Sequence, residues 1–218
     1  MAATAQQKRR AARIARRLGQ HYPNATCSLN FQTPLELLVA TILSAQCTDT
    51  RVNEVAKTLF SKYPTAAHYA QAPPAQLERD IQSTGFFRNK AKSIQASCRT
   101  LLERYGGEVP RDIEALVELP GVGRKTANVV LGTAYGIATG VVVDTHVARI
   151  SRRLGLTHEK NPEKIERDLI GQFAAGEWIA LSHRMIHHGR RYCTARKPKC
   201  EECPLLELCP RIGVETEK

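Results

Sequence analysis

Lys125 ends the run Leu119-Pro120-Gly121-Val122-Gly123-Arg124-Lys125, a setting in which a lysine can do covalent chemistry. Pro120 presets φ and the glycines accept positive φ, so the run reads as a tight turn between two helices. Ile113, Leu116, Val117 and Leu119 recur at helical spacing before the turn, and Ala127, Val130, Leu131 and Ala134 after it. Backbone N–H groups of the turn and second helix converge on one surface point. The helix dipole favours an anion there, and phosphate is the natural occupant. Gly121, Gly123 and Arg124 are therefore the expected grip on a nucleic-acid backbone. Lys125 falls in the first turn of the second helix, where the dipole disfavours an ammonium and any desolvation would act in the same direction. A lysine poised to be neutral is a nucleophile able to form a Schiff base. A plain phosphate-binding lysine, or an ordinary αα-hairpin, fits the same local pattern, and the hairpin alone does not separate them.

Asp144 is the second candidate, a carboxylate that follows Val141-Val142-Val143 at a helix start. Such an Asp caps the helix with one oxygen, and its second oxygen can face a reacting group. The third is the series Cys193, Cys200, Cys203 and Cys209 in one short tail. Zinc sites usually bring two close pairs separated by a longer loop. Here Cys200 and Cys203 form a C-x2-C pair while the outer cysteines stand off by six and five residues. That uneven reach suits a [4Fe–4S] cluster better than one zinc ion, with a disulfide-bonded tail as the remaining alternative. Arg196, Lys197 and Lys199 lie in the first interval, so a cluster that pins this loop makes them a fixed phosphate-contacting patch. Cys27, Cys47 and Cys98 are scattered and read as structural.

The balance of 32 Lys and Arg against 21 Asp and Glu, a formal charge of +11, points to a polyanionic partner, nucleic acid before membrane. No segment approaches the ~20 consecutive apolar residues that span a bilayer, and the N-terminus lacks the apolar core of an export signal. Seven cysteines in such a chain argue for a metal or reactive thiols rather than a disulfide framework. With 42% hydrophobic residues, 218 residues can bury one large core or two small ones. The expectation is a soluble, intracellular, basic protein.

Helices must position these groups, since no convincing strand pair or repeat occurs. Ala11, Ile14, Ala15 and Leu18 stripe a basic helix over 6–19, whose cations form either a solvated face or a DNA contact. Thr33-Pro34-Leu35-Glu36 is a strong helix start. That helix stops near Ser44-Ala45-Gln46, and Thr48 restarts another that runs to Tyr63. Shorter helices follow Thr65 and Pro73. After the loop Gly85-Phe86-Phe87-Arg88-Asn89 a helix runs from about Lys90 to Tyr105, with Ile94, Cys98, Leu101 and Leu102 inward, and Gly106-Gly107 ends it. Gly132 to Gly140 is the expected crossover beyond the hairpin, and further helices start at Asp144, near Pro162 and near Glu177. The fold class is all-α. Residues 28–136 read as one helical-barrel domain, and residues 1–27 with 137–218 as a second, cluster-bearing domain.

Together, the hairpin from Leu119 to Ala127, Val143-Asp144-Thr145-His146, the four spaced cysteines, and Leu43-Ser44-Ala45-Gln46 with Thr48-Asp49 closely resemble the endonuclease III family. These are DNA glycosylase/AP lyases of the helix-hairpin-helix glycosylase superfamily, and the match runs in order over roughly residues 28–209. The resemblance implies two α-helical lobes flanking a DNA-binding cleft, with a [4Fe–4S] cluster in the lobe built from both termini. It makes Lys125 the nucleophile and Asp144 the catalytic carboxylate of a base excision repair enzyme that removes oxidised pyrimidines. Cys193, Cys200, Cys203 and Cys209 become the cluster ligands. Gln46 matches the residue that fills the gap left by a flipped nucleotide, and Phe86 the wedge between bases of the opposite strand. A buried Gln and a core Phe are the plainer alternatives for these two. The implied partner is double-stranded DNA containing damaged bases or abasic sites, met by a monomer without membrane attachment, in the cytoplasm if the source is bacterial. Cys47, where related sequences have a small residue, and the bulky Phe86-Phe87 pair depart from the family pattern. Two competitors stand beside this reading. An adenine-specific mismatch glycosylase shares hairpin, Asp and cluster but lacks the lysine, and a non-catalytic hairpin module would only bind DNA and hold zinc.

Overall fold

The computed structural model describes residues 3–214, and its regular structure is helical throughout. In chain order the α-helices are α1 (Ala5–His21), α2 (Pro34–Leu43), α3 (Asp49–Lys62), α4 (Ala66–Gln71), α5 (Pro74–Ile81), α6 (Phe87–Tyr105), α7 (Ile113–Val117), α8 (Arg124–Tyr135), α9 (Thr145–Arg153), α10 (Pro162–Gln172) and α11 (Trp178–Arg191). No strand occurs among the described residues, and Val141-Val142-Val143 is irregular chain leading into α9. Side-chain oxygens start many of these helices. Thr33, Thr48, Asp112, Asp144 and Asn161 each accept from a first-turn backbone N–H, and Thr4 with Gln7 closes a reciprocal capping box. No helix of the described residues is long and apolar enough to cross a membrane.

Two compact units divide the chain, one of residues 27–139 and one of residues 1–26 with 140–218. In the first, α2 is buried on nearly every side, from Leu35 through Leu43, and packs on α3, α6 and α8. A helix so apolar all round can only be central. In the second unit, Ile14 and Leu18 of α1 meet Val147 and Ile150 of α9, Ile165 and Leu169 of α10, and Leu181 and Met185 of α11 in one core. The cations of α1 divide between two roles. The Arg10 guanidinium donates to the carbonyls of Leu154 and Leu208, and Arg17 to Pro204 O and Glu207, while Lys8, Arg9, Arg13 and Arg16 are exposed.

Three details differ from the sequence expectations. α6 begins at Phe87 rather than near Lys90, because Gly85 (φ 70°) and Phe86 (φ 47°) turn the chain into the helix without any side-chain cap. The usual start signal is therefore missing. Leu102 is 39% exposed rather than inward; it lies beside Gly107, where the helix ends. α8 runs through Gly132 to Tyr135 and stops on Gly136, in the left-handed region, so the crossover starts later than expected.

Candidate functional site

The hairpin turn is anchored from beneath by Leu119 and Val122, both buried, with Val122 N–H donating to Leu119 O at 3.0 Å. Only one of its glycines has positive φ: Gly121 at +80°, whereas Gly123 is the extended N-cap of α8 at −88°. α6 holds the turn from the side. Ser97 Oγ donates to Pro120 O at 2.6 Å, and a Cβ on Gly121 would fall 2.6 Å from Ser93 Cβ. Gly121→Ala is therefore expected to destabilise the protein by about 2–4 kcal/mol, from the left-handed backbone and the overlap together. Thermal melting would show this as a drop of several degrees. A Cβ on Gly123 meets nothing, so Gly123→Ala is expected to stay within about 0.5 kcal/mol of wild type. The importance of Gly123 lies elsewhere: it offers no side chain to cap α8, and Gly123, Arg124 and Lys125 are all exposed at that end. An external anion can take the place of a cap. Lys125 projects from the first turn as an exposed side chain.

Gln46 and Phe86 lie in the same unit, and neither takes its plainer alternative. Gln46 is exposed rather than buried, and Phe86 is 62% exposed rather than core. Both hold left-handed backbone, at φ 52° and 47°, and the only other non-glycine among the described residues to do so is Arg211. Each such residue costs roughly 1–2 kcal/mol, which the surroundings must enforce. Cys47 is half-buried behind Gln46 against the core of the unit. Cys98 is fully buried, and burial pushes its thiol up to about 12, so it is an inert core residue.

Asp144 caps α9 through Oδ1, which accepts from Val147 N–H at 2.8 Å, leaving Oδ2 outside the cap. His146, two residues on, accepts at Nδ1 from Arg149 Nη2 at 3.0 Å and packs where Gly189 has no side chain. Burial holds His146 below its ordinary value; Asp144 opposes this, and the Arg149 and Arg190 cations reinforce it. A neutral His146 accepting at Nδ1 carries its proton on Nε2. Arg149 also donates from Nε to Cys193 O at 2.9 Å and from Nη2 to Gly189 O at 3.2 Å. One guanidinium thus joins the helix of Asp144 to α11 and to the cysteine loop.

That loop brings Cys193, Cys200, Cys203 and Cys209 around one space, lined also by Ile150, Leu154, His188 and Tyr192. None of the four is in a disulfide. Burial pushes the Cys203 thiol up to about 11, and the other three sulfurs add to the effect, as expected of four thiols that converge. N–H groups point at two of the sulfurs, Arg153 Nη1 at 3.3 Å from Cys193 Sγ and Leu205 N at 3.4 Å from Cys203 Sγ, and His188 Nε2 lies 3.5 Å from Cys203 Sγ. His188 is buried and held down to about 4 by burial, and its Nδ1 pairs with Tyr22 OH at 3.1 Å. Among the described residues no three His, Cys, Asp or Glu side chains form a group that would hold a single metal ion. Four soft donors that line one space, with N–H groups aimed at two of their sulfurs, fit an iron–sulfur cluster. Arg196, Lys197 and Lys199 are exposed on this loop, which is held by Arg153 bonds to Thr194 O and Ala195 O and by Thr194 Oγ1 to Lys197 O.

Comparison with known proteins agrees with this chemistry. Residues 39–173 match the family model of the HhH-GPD superfamily base excision DNA repair proteins, and residues 193–209 match that of the iron-sulfur binding domain of endonuclease III. Endonuclease III of Synechocystis sp. is 56% identical over 206 residues, covering 94% of each chain. A solved non-covalent endonuclease III–DNA complex superposes with a TM-score of 0.89 at 46% identity, covering 94% of this chain and 95% of that one. A trapped endonuclease III–DNA covalent intermediate gives the same TM-score and identity, covering 94% and 96%. The chain belongs to the endonuclease III family of the HhH-GPD superfamily, and is a base excision repair DNA glycosylase and AP lyase with a [4Fe–4S] cofactor.

Proposed function

We propose that Lys125 is the nucleophile and Asp144 the catalytic carboxylate of this enzyme, acting on oxidised pyrimidines and abasic sites in double-stranded DNA. The observation that carries this is the placement of Lys125: exposed, on the first turn of a helix that lacks a side-chain cap, directly after a turn fixed by α6. A phosphate bound at that turn sets the lysine at a fixed distance from the sugar beside it, and such proximity is itself catalytic. Gly121, Gly123 and Arg124 hold the strand, and Arg196, Lys197 and Lys199 add phosphate contacts.

A damaged base inside a duplex is out of reach, so the nucleotide leaves the stack. Gln46 fills the space it vacates, and Phe86 wedges between bases of the opposite strand. Lys125 Nζ, as the free amine, attacks C1′ while the bond from C1′ to the base breaks and the base leaves with the electron pair. Asp144 accepts a proton from the lysine and stabilises the positive charge that develops on the sugar. Opening of the sugar ring gives an imine between Nζ and C1′, which acidifies the C2′ proton. Its removal expels the 3′ phosphate, cutting the strand 3′ to the lesion. Cys193, Cys200, Cys203 and Cys209 would hold the cluster, which would supply a covalent staple for the loop. The unit of residues 27–139 is then the hairpin-bearing domain, and that of 1–26 with 140–218 the cluster domain. The protein works as a monomer, without membrane attachment, in the cytoplasm if its source is bacterial.

Borohydride added with a duplex containing an abasic site should reduce the imine to a stable adduct, and peptide mass mapping should place it on Lys125. An adduct on another lysine, or none with DNA binding intact, would overturn the assignment. Incision of a panel of duplexes carrying oxidised pyrimidines, uracil or mismatched adenine tests the substrate class, and preference for mismatched adenine would reject it.

A further inference from the structure

Lys90 is a buried cation without a carboxylate partner among the described residues. It lies one turn inside α6 and is 5% exposed, and its Nζ donates to Leu43 O at 2.7 Å and to Thr84 O at 2.8 Å. Burial pushes its ammonium below the ordinary value, with Cys47 opposing. A charge met only by carbonyl dipoles is expensive to bury, and a methionine would fill the same space without that cost. The two acceptors explain what the charge does. Leu43 is the last residue of α2, three before Gln46, and Thr84 stands two before Phe86. One ammonium therefore ties together the stems of two segments whose tips, Gln46 and Phe86, are exposed and held in left-handed backbone. The same face of α6 continues through Ser93 and Ser97, which meet Gly121 and Pro120 of the hairpin. Residues 90, 93 and 97 follow helical spacing, so α6 sets both tips against the turn that precedes Lys125.

We propose that Lys90 is a positioning residue that holds Gln46 and Phe86 at one fixed separation, so that both enter the duplex as a single device at the lesion. The proposal rests on the reading of Gln46 as plug and Phe86 as wedge. Two side chains that must insert together gain from a rigid common base, since each independent segment would have to be ordered separately during opening.

The test uses the full-length, cluster-loaded protein with Lys90→Met, a duplex carrying one oxidised pyrimidine, and a single-stranded oligonucleotide carrying an abasic site. The single strand has no stack to open and reports on the lysine chemistry alone. Lys90→Met is expected to lower duplex turnover roughly tenfold to a hundredfold, and to leave single-strand cleavage within about twofold. The fluorescence rise of a 2-aminopurine placed beside the lesion should shrink in parallel. In a Gln46→Ala/Phe86→Ala background the same substitution should cost less than about twofold, because the device it aligns is gone. Equal loss on both substrates, or effects that multiply in the triple variant, would overturn the proposal. If Gln46→Ala/Phe86→Ala leaves duplex turnover unchanged, the plug-and-wedge reading fails and takes the proposal with it. Should Lys90→Met lose its fold, seen as loss of the helical circular dichroism of the wild type, Lys90→Gln keeps an amide donor and is judged by the same criteria.

Discussion

Lys125→Ala is expected to bind abasic-site duplex with an affinity close to wild type while strand incision falls by roughly three to six orders of magnitude, the range seen when a nucleophile is removed from a working catalytic set. No borohydride adduct should form. Binding survives because the strand is held by the turn and its glycines, whose geometry depends on Leu119, Val122, Ser93 and Ser97 rather than on the lysine side chain. Stability should also survive, since Lys125 is exposed and a first-turn alanine suits a helix. Lys125→Arg sharpens the comparison. It keeps the charge for a phosphate but stays protonated, so a phosphate-binding lysine would be rescued by arginine and a nucleophile would not. Incision and gel-shift assays on one preparation of each variant decide between the two, and appreciable incision by Lys125→Arg would sink the nucleophile assignment.

The helix starts were the easiest part of this fold to read from residues. Thr33-Pro34-x-Glu36, Thr48-Asp49 and Asp144 announce helices by the chemistry of the cap, and the structure places Thr33, Thr48 and Asp144 at N-caps. The start of α6 was harder, because Gly85 and Phe86 make it through backbone conformation and leave no capping side chain. Local motifs also mark Lys125 and the four cysteines, since each depends on neighbours close in sequence. The groups that position them are long-range. Ser97 meets Pro120 across α6 and the turn, Arg149 reaches Cys193, and Lys90 reaches Leu43. No spacing rule foretells such pairs. A weaker signal did exist for two of them. Counting back by helical turns from Leu101, Cys98 and Ile94 leads to Lys90, and Ser97 lies beside that stripe. A lysine on the apolar side of a helix is a polar group that must find buried partners. Arg149 and Arg153, one turn apart on α9, are less marked, because a basic face on an amphipathic helix ordinarily means solvent.

Asp144 poses the opposite problem, because a structural role is certain and a chemical one must be separated from it. Its Oδ1 caps α9, so any loss of activity in Asp144→Ala could come from a frayed helix. Asparagine resolves this. It caps as well as aspartate, with a difference of only a few tenths of a kcal/mol beyond the charge–dipole contribution of about 0.3–1 kcal/mol. Alanine loses the cap outright, at about 0.5–2 kcal/mol. Stability should therefore rank wild type, then Asp144→Asn close behind, then Asp144→Ala, in denaturant titrations. Activity should break differently: both variants are expected to lose about 10²–10⁴-fold in base excision, since neither can accept a proton from the lysine or face positive charge on the sugar. His146 would stay in place in both, held by Arg149 and the gap at Gly189. If Asp144→Asn is as stable as expected and excises at the wild-type rate, Asp144 is a cap and nothing more. If activity instead follows stability across the series, the carboxylate acts through α9 rather than on the sugar.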